Sequence, residues 1–223
     1  INCLDYPRDM YEIIVEKGDN ASQNRNRGIE EANGHILAFV DDDAYVKSDW
    51  LRQADRFLQC HSEIDIVGGP QLTALDDGLF ARQSGYVFSS NFGAGKMSTR
   101  YRSGKENLNA DELNITSCNM FVRESVFSVI GNFHSHLFPN EETELIQRAL
   151  ACGFRVGFSP SIVVYHKRRK NYKSYINQCF KVGRGRARQD ALTGSRASKW
   201  VAVPMLFAIY ILTIPLLYWS MDY

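Results

Sequence analysis

The stretch ILAFVDDDAYV (36–46) guides the interpretation of the whole chain. Its first five residues form an apolar run typical of a buried strand, and three adjacent aspartates end that run. Like charges repel, and a carboxylate near an apolar core is costly unless something compensates it. Alternation along an extended chain directs Asp41 and Asp43 to one side and Asp42 to the other. The pattern indicates either a bound cation, with Mg²⁺ or Mn²⁺ suited to hard oxygen ligands, or a solvated acidic turn.

Strand-like and helix-like segments alternate on both sides of this stretch. Because the spacing is that of βαβ units, we expect an α/β fold with a mostly parallel, doubly wound sheet. An irregular segment rich in Gly, Ser and Asn, 70–115, interrupts the alternation and is typical of a functional loop. Strands are predicted at 11–15, 35–40, 64–69, 115–123 and in two pieces within 155–166, and helices at 22–34, 48–60, 124–131, 140–153 and 171–192.

Charge is unevenly distributed along the 223 residues, although the net charge is only +1. The segment 166–199 carries eleven Lys and Arg against a single acid, Asp190, whereas the preceding residues are predominantly acidic. A basic stripe of this kind is compatible with nucleic-acid binding, but the chain contains no DNA- or RNA-binding motif. We therefore expect no nucleic-acid partner.

An uncharged apolar run, 200–219, follows the basic segment. It is about as long as a bilayer-spanning helix, and Trp200, Tyr218 and Trp219 stand at its ends as interface anchors would. The alternatives are a buried core helix and a re-entrant or interfacial segment. The run predicts a transmembrane helix and a membrane partner, and the basic flank predicts that the acidic body lies in the cytoplasm.

The five cysteines are scattered and form no C-x-x-C pair. This usage fits reduced thiols better than a disulfide framework or a zinc site. The chain starts at Ile1 without a signal peptide, and we expect it to be a fragment of a longer protein.

A second acidic cluster and a histidine complete the candidate residues. Glu141 and Glu142 begin a predicted helix, where the helix dipole stabilises anions and would keep Glu142 ionised as a general base. The alternative is an ordinary helix N-terminus. His166 ends a strand and is a candidate nitrogen ligand, although a lone histidine is more often structural.

The order of these features resembles glycosyltransferase family 2, the inverting nucleotide-sugar enzymes of GT-A (Rossmann-like) fold. RNRGIEEANGHILAFVDDDA (25–44) is similar to the family's R-N-x-G motif, strand and D-x-D signature. NEETELIQRALACGFRVGFSPSIVVYH (140–166) is similar to its E-D-x-E-L-x-x-R helix, strand and histidine. SSNFGAGKMSTRYRSG (89–104) is similar to a loop of succinoglycan-type members. The family's first strand has no counterpart in the chain, so we expect it to be missing.

The resemblance implies a role for each matching residue. Asp41 would contact the nucleoside side of the donor, Asp43 would hold the metal that bridges the diphosphate, and Glu142 would be the catalytic base. The metal would be Mn²⁺ or Mg²⁺, with His166 as a further ligand or diphosphate contact. Other residues would line the donor site: Arg25, Asp42, Glu141, and Glu16 or Asp19 in place of the family's usual acidic pair.

The resemblance also implies a hexosyltransferase-type reaction and a domain division. The donor would be a UDP-, GDP- or dTDP-sugar and the acceptor a saccharide or polyprenyl-linked saccharide, in polysaccharide or glycoconjugate biosynthesis. The catalytic domain would cover 1–170, a basic neck 171–199 and the transmembrane helix 200–219. Lys17 departs from the family pattern, because an acid is common there, and this leaves the choice of nucleotide base open. The alternatives are a sugar nucleotidyltransferase and a non-catalytic, nucleotide-sugar-binding relative.

Overall fold

The computed structural model describes residues 4–194, 206–207 and 209–214. The chain divides into two compact units, 1–185 and 186–223, and every site residue discussed below belongs to the first. The described elements are, in chain order, α1 (Ala21–Glu31), β1 (Ile36–Phe39), β2 (Ala44–Val46), α2 (Trp50–Cys60), β3 (Ile66–Gly68), β4 (Gln71–Thr73), α3 (Leu79–Ser89), α4 (Asn91–Ala94), β5 (Met120–Arg123), α5 (Glu124–Ile130), α6 (Glu141–Ala151), β6 (Val156–Phe158), β7 (Val164–His166) and α7 (Tyr172–Thr193).

The strands form two sheets. The larger has the order β1-β5-β3-β6, in which β5 runs antiparallel to both neighbours and β3 pairs parallel with β6. The smaller has the order β2-β7-β4. The α/β class is therefore confirmed: β1, β3 and β6 run in one direction, as the prediction of a mostly parallel sheet requires, and β5 departs from it as an antiparallel strand between β1 and β3. The reason is the route to β5: the chain arrives through a long excursion after β4, which reverses its direction, and not through a βαβ crossover.

Apolar side chains cover both faces of the larger sheet. On one face, Leu37, Met120 and Val122 pack with the buried side chains of α5 and α6. On the other, Val67 and Phe121 pack with α2. Alternate residues of one strand thus enter opposite cores, as a sheet covered on both faces requires.

The apolar segment 11–15 does not form the predicted strand. It lines the same cleft as β1, and it forms no ladder with that strand. β1 is hydrogen-bonded to β5 only, among the residues the structure describes. Apolar composition favoured a strand here, but a strand also needs a partner within hydrogen-bonding distance.

The segment 70–115 is more regular than predicted. It contains β4, α3, α4 and a 3₁₀ segment, Gly95–Tyr101. α3 includes Gly85 and two serines, and it forms because tertiary contacts outweigh their weak helix propensity. One such contact is close: a Cβ at Gly85 would lie 2.0 Å from Thr73 Oγ1.

The described residues include no helix that is both long and apolar enough to cross a bilayer. A spanning helix needs about 20 apolar residues, and the structure describes eight residues of the predicted span, 206–207 and 209–214, all of them helical. On this finding the predicted transmembrane helix is wrong, and the cellular location inferred from it is withdrawn. The remainder of the predicted span, 200–205, 208 and 215–219, lies outside the described residues.

Candidate functional site

One large cleft, about 1370 Å³ in volume, brings the predicted site residues together. It runs along the open edge of β1 and reaches the start of α6 and the end of β7. The nine residues singled out from the sequence all line it: Glu16, Asp19, Arg25, Asp41, Asp42, Asp43, Glu141, Glu142 and His166. These residues are spread over 151 positions of the chain, so their convergence is a property of the fold.

The aspartate run lies between the two sheets, because β1 ends before it and β2 begins after it. β2 pairs with β7 in a register that sets Ala44 opposite His166, and the amide of Lys167 donates to the carbonyl of Asp43 at 3.1 Å. This pairing holds the imidazole over the carboxylates. Nε2 of His166 lies 3.1 Å from Asp43 Oδ1 and 3.9 Å from Asp41 Oδ2.

The histidine is a cation in this arrangement. Burial lowers the pKa of His166, but hydrogen bonds to Asp41 and Asp43 outweigh that effect and raise the pKa to about 9. In turn, the hydrogen bond from His166 lowers the pKa of Asp43, despite partial burial. Burial alone would raise the pKa of Asp41, yet His166 and Arg25 together lower it. The two carboxylates are therefore ionised and face positive charge.

The same residues fit a divalent cation, which would take the place of the Nε2 proton of His166, because only a neutral imidazole is a metal ligand. Ligand atoms of Asp41, His166 and Cys118 lie within 4.8 Å of one another, a separation that a single ion between them would bridge. Nδ1 of His166 lies 2.9 Å from the carbonyl of Lys167, which leaves Nε2 directed at the carboxylates, as in histidine ligands generally. Burial raises the pKa of the Cys118 thiol to about 12, so the carboxylates and the imidazole are the better ligands for Mg²⁺ or Mn²⁺.

Arg25 joins the aspartate run to α6. It projects from α1, and its guanidinium donates to Asp41 Oδ1 at 3.0 Å and to Glu141 Oε1. Its side chain is only 12% exposed, so this pairing is shielded from water. The α1 helix is held in place by Asn20, which accepts from the amide of Gln23 and donates to the carbonyl of Ser135 at 2.7 Å.

The first residues of α6 are unusually buried for acids. Glu141 and Glu142 are 2% and 8% exposed, and Oε2 of Glu141 has no hydrogen-bond partner among the described residues. Burial and the charge of Glu142 raise the pKa of Glu141 to about 7, although Arg25 opposes the rise. Asn140, the residue before the helix, has left-handed backbone geometry and makes no side-chain cap bond.

The opposite end of the cleft carries the residues predicted for nucleotide contacts. Glu16 is paired with Arg27, whose Nε lies 2.5 Å from its Oε2, and a second nitrogen of Arg27 donates to the carbonyl of Lys17 at 3.0 Å. Glu16 is thus bound to α1. Asp19 lines the cleft beside the start of that helix.

Three lining residues were not identified from the sequence. Cys118 lies in the 3₁₀ turn before β5, Arg168 follows β7 with its guanidinium 4.9 Å from the ring centre of Tyr101, and Arg100 lies 3.6 Å from Glu142. Single cysteines and arginines outside a motif give no positional signal. The only sequence hint was that Arg100 falls within the loop-like segment 89–104.

Comparison with known proteins agrees with this geometry. The family model described as "Glycosyltransferase like family 2" matches residues 6–185, which covers all the residues of the cleft except Leu4. A curated relative, "Glycosyltransferase AglE" of Haloferax volcanii, is 27% identical over 178 residues, 79% of this chain and 54% of the relative. The chain therefore spans about half the length of that relative.

Two solved structures are similar to this chain at low sequence identity, and the first of them shares its fold. The mannosyltransferase PcManGT from Pyrobaculum calidifontis, solved with GDP-Man and Mn²⁺, superposes with a TM-score of 0.53 at 14% identity, over 89% of this chain and 50% of that one. TarS 1-349 from S. aureus, solved with UDP-GlcNAc, gives a TM-score of 0.47 at 17% identity, over 70% and 41%. By the extent of the family match, this chain belongs to glycosyltransferase-like family 2.

Proposed function

We propose that the cleft binds a nucleoside-diphosphate sugar with a divalent metal ion and transfers the sugar, with inversion, to an acceptor hydroxyl. The observation that carries the proposal is the convergence of two ionised aspartates and His166 on one side of the cleft with Glu141 and Glu142 on the other. Family membership and the nucleotide-sugar ligands of the solved relatives support the same reaction class.

The donor site is assigned to the aspartate run. Asp43, Asp41 and His166 would hold Mn²⁺ or Mg²⁺, which supplies a positive charge that offsets the diphosphate as the leaving group departs. The nucleoside would extend along β1 towards Glu16 and Asp19. Arg25, which pairs with Asp41 and Glu141, would hold the carboxylate of Asp41 in place on the donor side of the cleft. Asp42 lines the same region.

The transfer step is assigned to Glu142. Its carboxylate removes the proton from the acceptor hydroxyl, and the oxygen attacks the anomeric carbon from the face opposite the diphosphate. A new carbon–oxygen bond forms, the bond to the diphosphate breaks, and its electron pair leaves with the nucleoside diphosphate. One displacement without a covalent intermediate inverts the anomeric configuration. A saccharide or a polyprenyl-linked saccharide is the acceptor class we propose.

The proposal is tested by release of nucleoside diphosphate from a panel of UDP-, GDP- and dTDP-sugars, with Mn²⁺ and with EDTA. Each donor is tested with added saccharide acceptors and also without them, in which case water is the acceptor. We expect one donor to be cleaved by the wild type only with metal, and Asp43→Ala to abolish cleavage. Glu142→Gln should lower the rate roughly 10²- to 10⁴-fold.

Glu31→Gln is the matched control, because Glu31 is an exposed acid on α1 outside the cleft. It should behave as the wild type. If no donor is cleaved under any condition, or if Asp43→Ala and Glu142→Gln cleave as fast as Glu31→Gln, the proposed function is wrong.

A further inference from the structure

Arg100 is a buried cation that lies close to the carboxylate of Glu142. It lies in the 3₁₀ segment Gly95–Tyr101, and its side chain is only 5% exposed. Nε donates to the carbonyl of Leu113 at 3.0 Å, and Nη2 donates to the carbonyl of Glu112. Two of the three guanidinium nitrogens are thus fixed by backbone, and the third, Nη1, points at Glu142 Oε1 from 3.6 Å.

The backbone that fixes Arg100 is itself tied to α6. Nε2 of Gln147 donates to Oε1 of Glu112 at 2.9 Å, so the residue whose carbonyl holds Arg100 is bound by its side chain to the helix of Glu142. Nδ2 of Asn114 donates to Thr99 Oγ1 at 2.9 Å, which joins the same loop to the 3₁₀ segment. A closed set of contacts therefore fixes the guanidinium relative to the carboxylate. Ordering a long side chain costs conformational entropy, which these contacts offset.

Each of the two buried glutamates has an arginine. Arg25 pairs with Glu141 and also with Asp41, on the donor side. Arg100 faces Glu142 from a different part of the chain, the segment between β4 and β5. Two adjacent carboxylates repel, and a separate cation for each reduces the free energy of that repulsion and gives each one a preferred direction.

We propose that Arg100 is a positioning residue that orients the carboxylate of Glu142 for proton removal. The inference rests on the proposed function, in which Glu142 is the base. A misplacement of about 1 Å in a catalytic group lowers a rate about 100-fold. Arg100→Gln should therefore lower kcat for nucleoside-diphosphate release by about that factor, while the Kd of the nucleoside diphosphate with Mn²⁺ remains that of the wild type.

A double-mutant cycle separates this role from a merely structural one. If Arg100 acts through Glu142, then adding Arg100→Gln to Glu142→Gln should lower the residual kcat by no more than about threefold, because the two residues act as one unit. If Arg100 only held two loops together, Arg100→Gln would lower kcat by the same factor in the wild type and in Glu142→Gln. Equal decreases in kcat in the wild type and in Glu142→Gln, or an unchanged kcat in Arg100→Gln, would overturn the inference.

Two further variants complete the design. Arg102→Gln is the matched control, because Arg102 lies in the same stretch but is exposed and contacts Ser89 and Asn91 instead of Glu142. It should leave kcat unchanged. Arg100→Lys keeps the charge and replaces Arg100→Gln in the cycle if that variant does not fold, as judged by its thermal unfolding. The wild type reports on the proposed function separately: absence of any release there would overturn the function and this inference together, whereas release with equal factors overturns the inference alone.

Discussion

The two glutamates that begin α6 are adjacent in sequence but differ in their surroundings. Glu141 is nearly inaccessible, is paired with Arg25 and keeps one oxygen buried without a partner among the described residues. Glu142 is somewhat more exposed and faces Arg100. These surroundings favour Glu142 as the base that reaches an acceptor and Glu141 as part of the wall that orients Arg25.

The buried carboxyl of Glu141 makes a prediction about stability and pH. Because its pKa is raised from 4.5 to about 7 by burial and by Glu142, the folded state holds this proton more tightly than the unfolded state. The resulting stabilisation is fully present below pH 4.5 and is lost as the pH rises through 7. A shift of this size corresponds to roughly 3 kcal/mol.

Glu141→Gln isolates this effect, because glutamine cannot titrate and retains an oxygen for Arg25. The difference in free energy of unfolding, wild type minus Glu141→Gln, should decrease between pH 5 and pH 8 when measured by urea denaturation. A difference that stays constant over this range would show that the pKa of Glu141 is the same in the folded and the unfolded protein.

At the scale of elements, one asparagine joins the parts that frame the cleft. Asn119, immediately before β5, accepts from Trp50 Nε1 at 2.9 Å and donates to the carbonyls of Pro70 and Ile162 at 3.1 and 2.7 Å. It is fully buried. It therefore links α2, the end of β3 and the approach to β7.

Replacement of this residue should be strongly destabilising. Asn119→Ala leaves one buried donor and two carbonyls with a lost partner, which should lower the free energy of unfolding by roughly 3 kcal/mol. The exposed Asn109 is the matched control, and Asn109→Ala should change the free energy by less than about 0.5 kcal/mol. Equal stability of the two variants in urea denaturation would contradict the assignment.

The turn after β3 makes a second prediction at this scale. A Cβ on Gly69 would lie 2.0 Å from the carbonyl oxygen of Ile162 and 2.6 Å from that of Ser159, and backbone atoms cannot move aside as a side chain can. Gly69→Ala should lower the melting temperature and destabilise the fold by roughly 1 to 3 kcal/mol. Gly78→Ala is the control, because no atom lies within 4 Å of its Cβ position. A melting temperature for Gly69→Ala equal to that of Gly78→Ala would refute the close contact.

At the scale of the whole molecule, sequence reasoning recovered the elements whose signals are local. The apolar run of β1, the aspartates after it and the glutamates at the start of α6 were all identified from pattern. What pattern did not supply was pairing: the antiparallel insertion of β5, the missing ladder at 11–15 and the second sheet depend on contacts between distant segments. The same limit explains why Arg100 and Cys118 were not identified, since their significance comes only from the residues they meet.

The prediction of a membrane-spanning helix rested on the length and hydrophobicity of the run 200–219. The described residues contain no helix that is long and apolar enough to cross a bilayer. The assigned chemistry does not depend on it, because the cleft lies wholly within 4–182.

The central claim is that Asp41, Asp43 and His166 hold a nucleoside diphosphate through a divalent cation. The most direct measurement is isothermal titration calorimetry of UDP, GDP and dTDP into the wild type and Asp43→Ala, each with Mn²⁺ and with EDTA. The account predicts that one nucleotide binds the wild type only when Mn²⁺ is present and that Asp43→Ala loses this binding. Binding of equal strength in EDTA and in Asp43→Ala, or no binding of any of the three nucleotides, would contradict it.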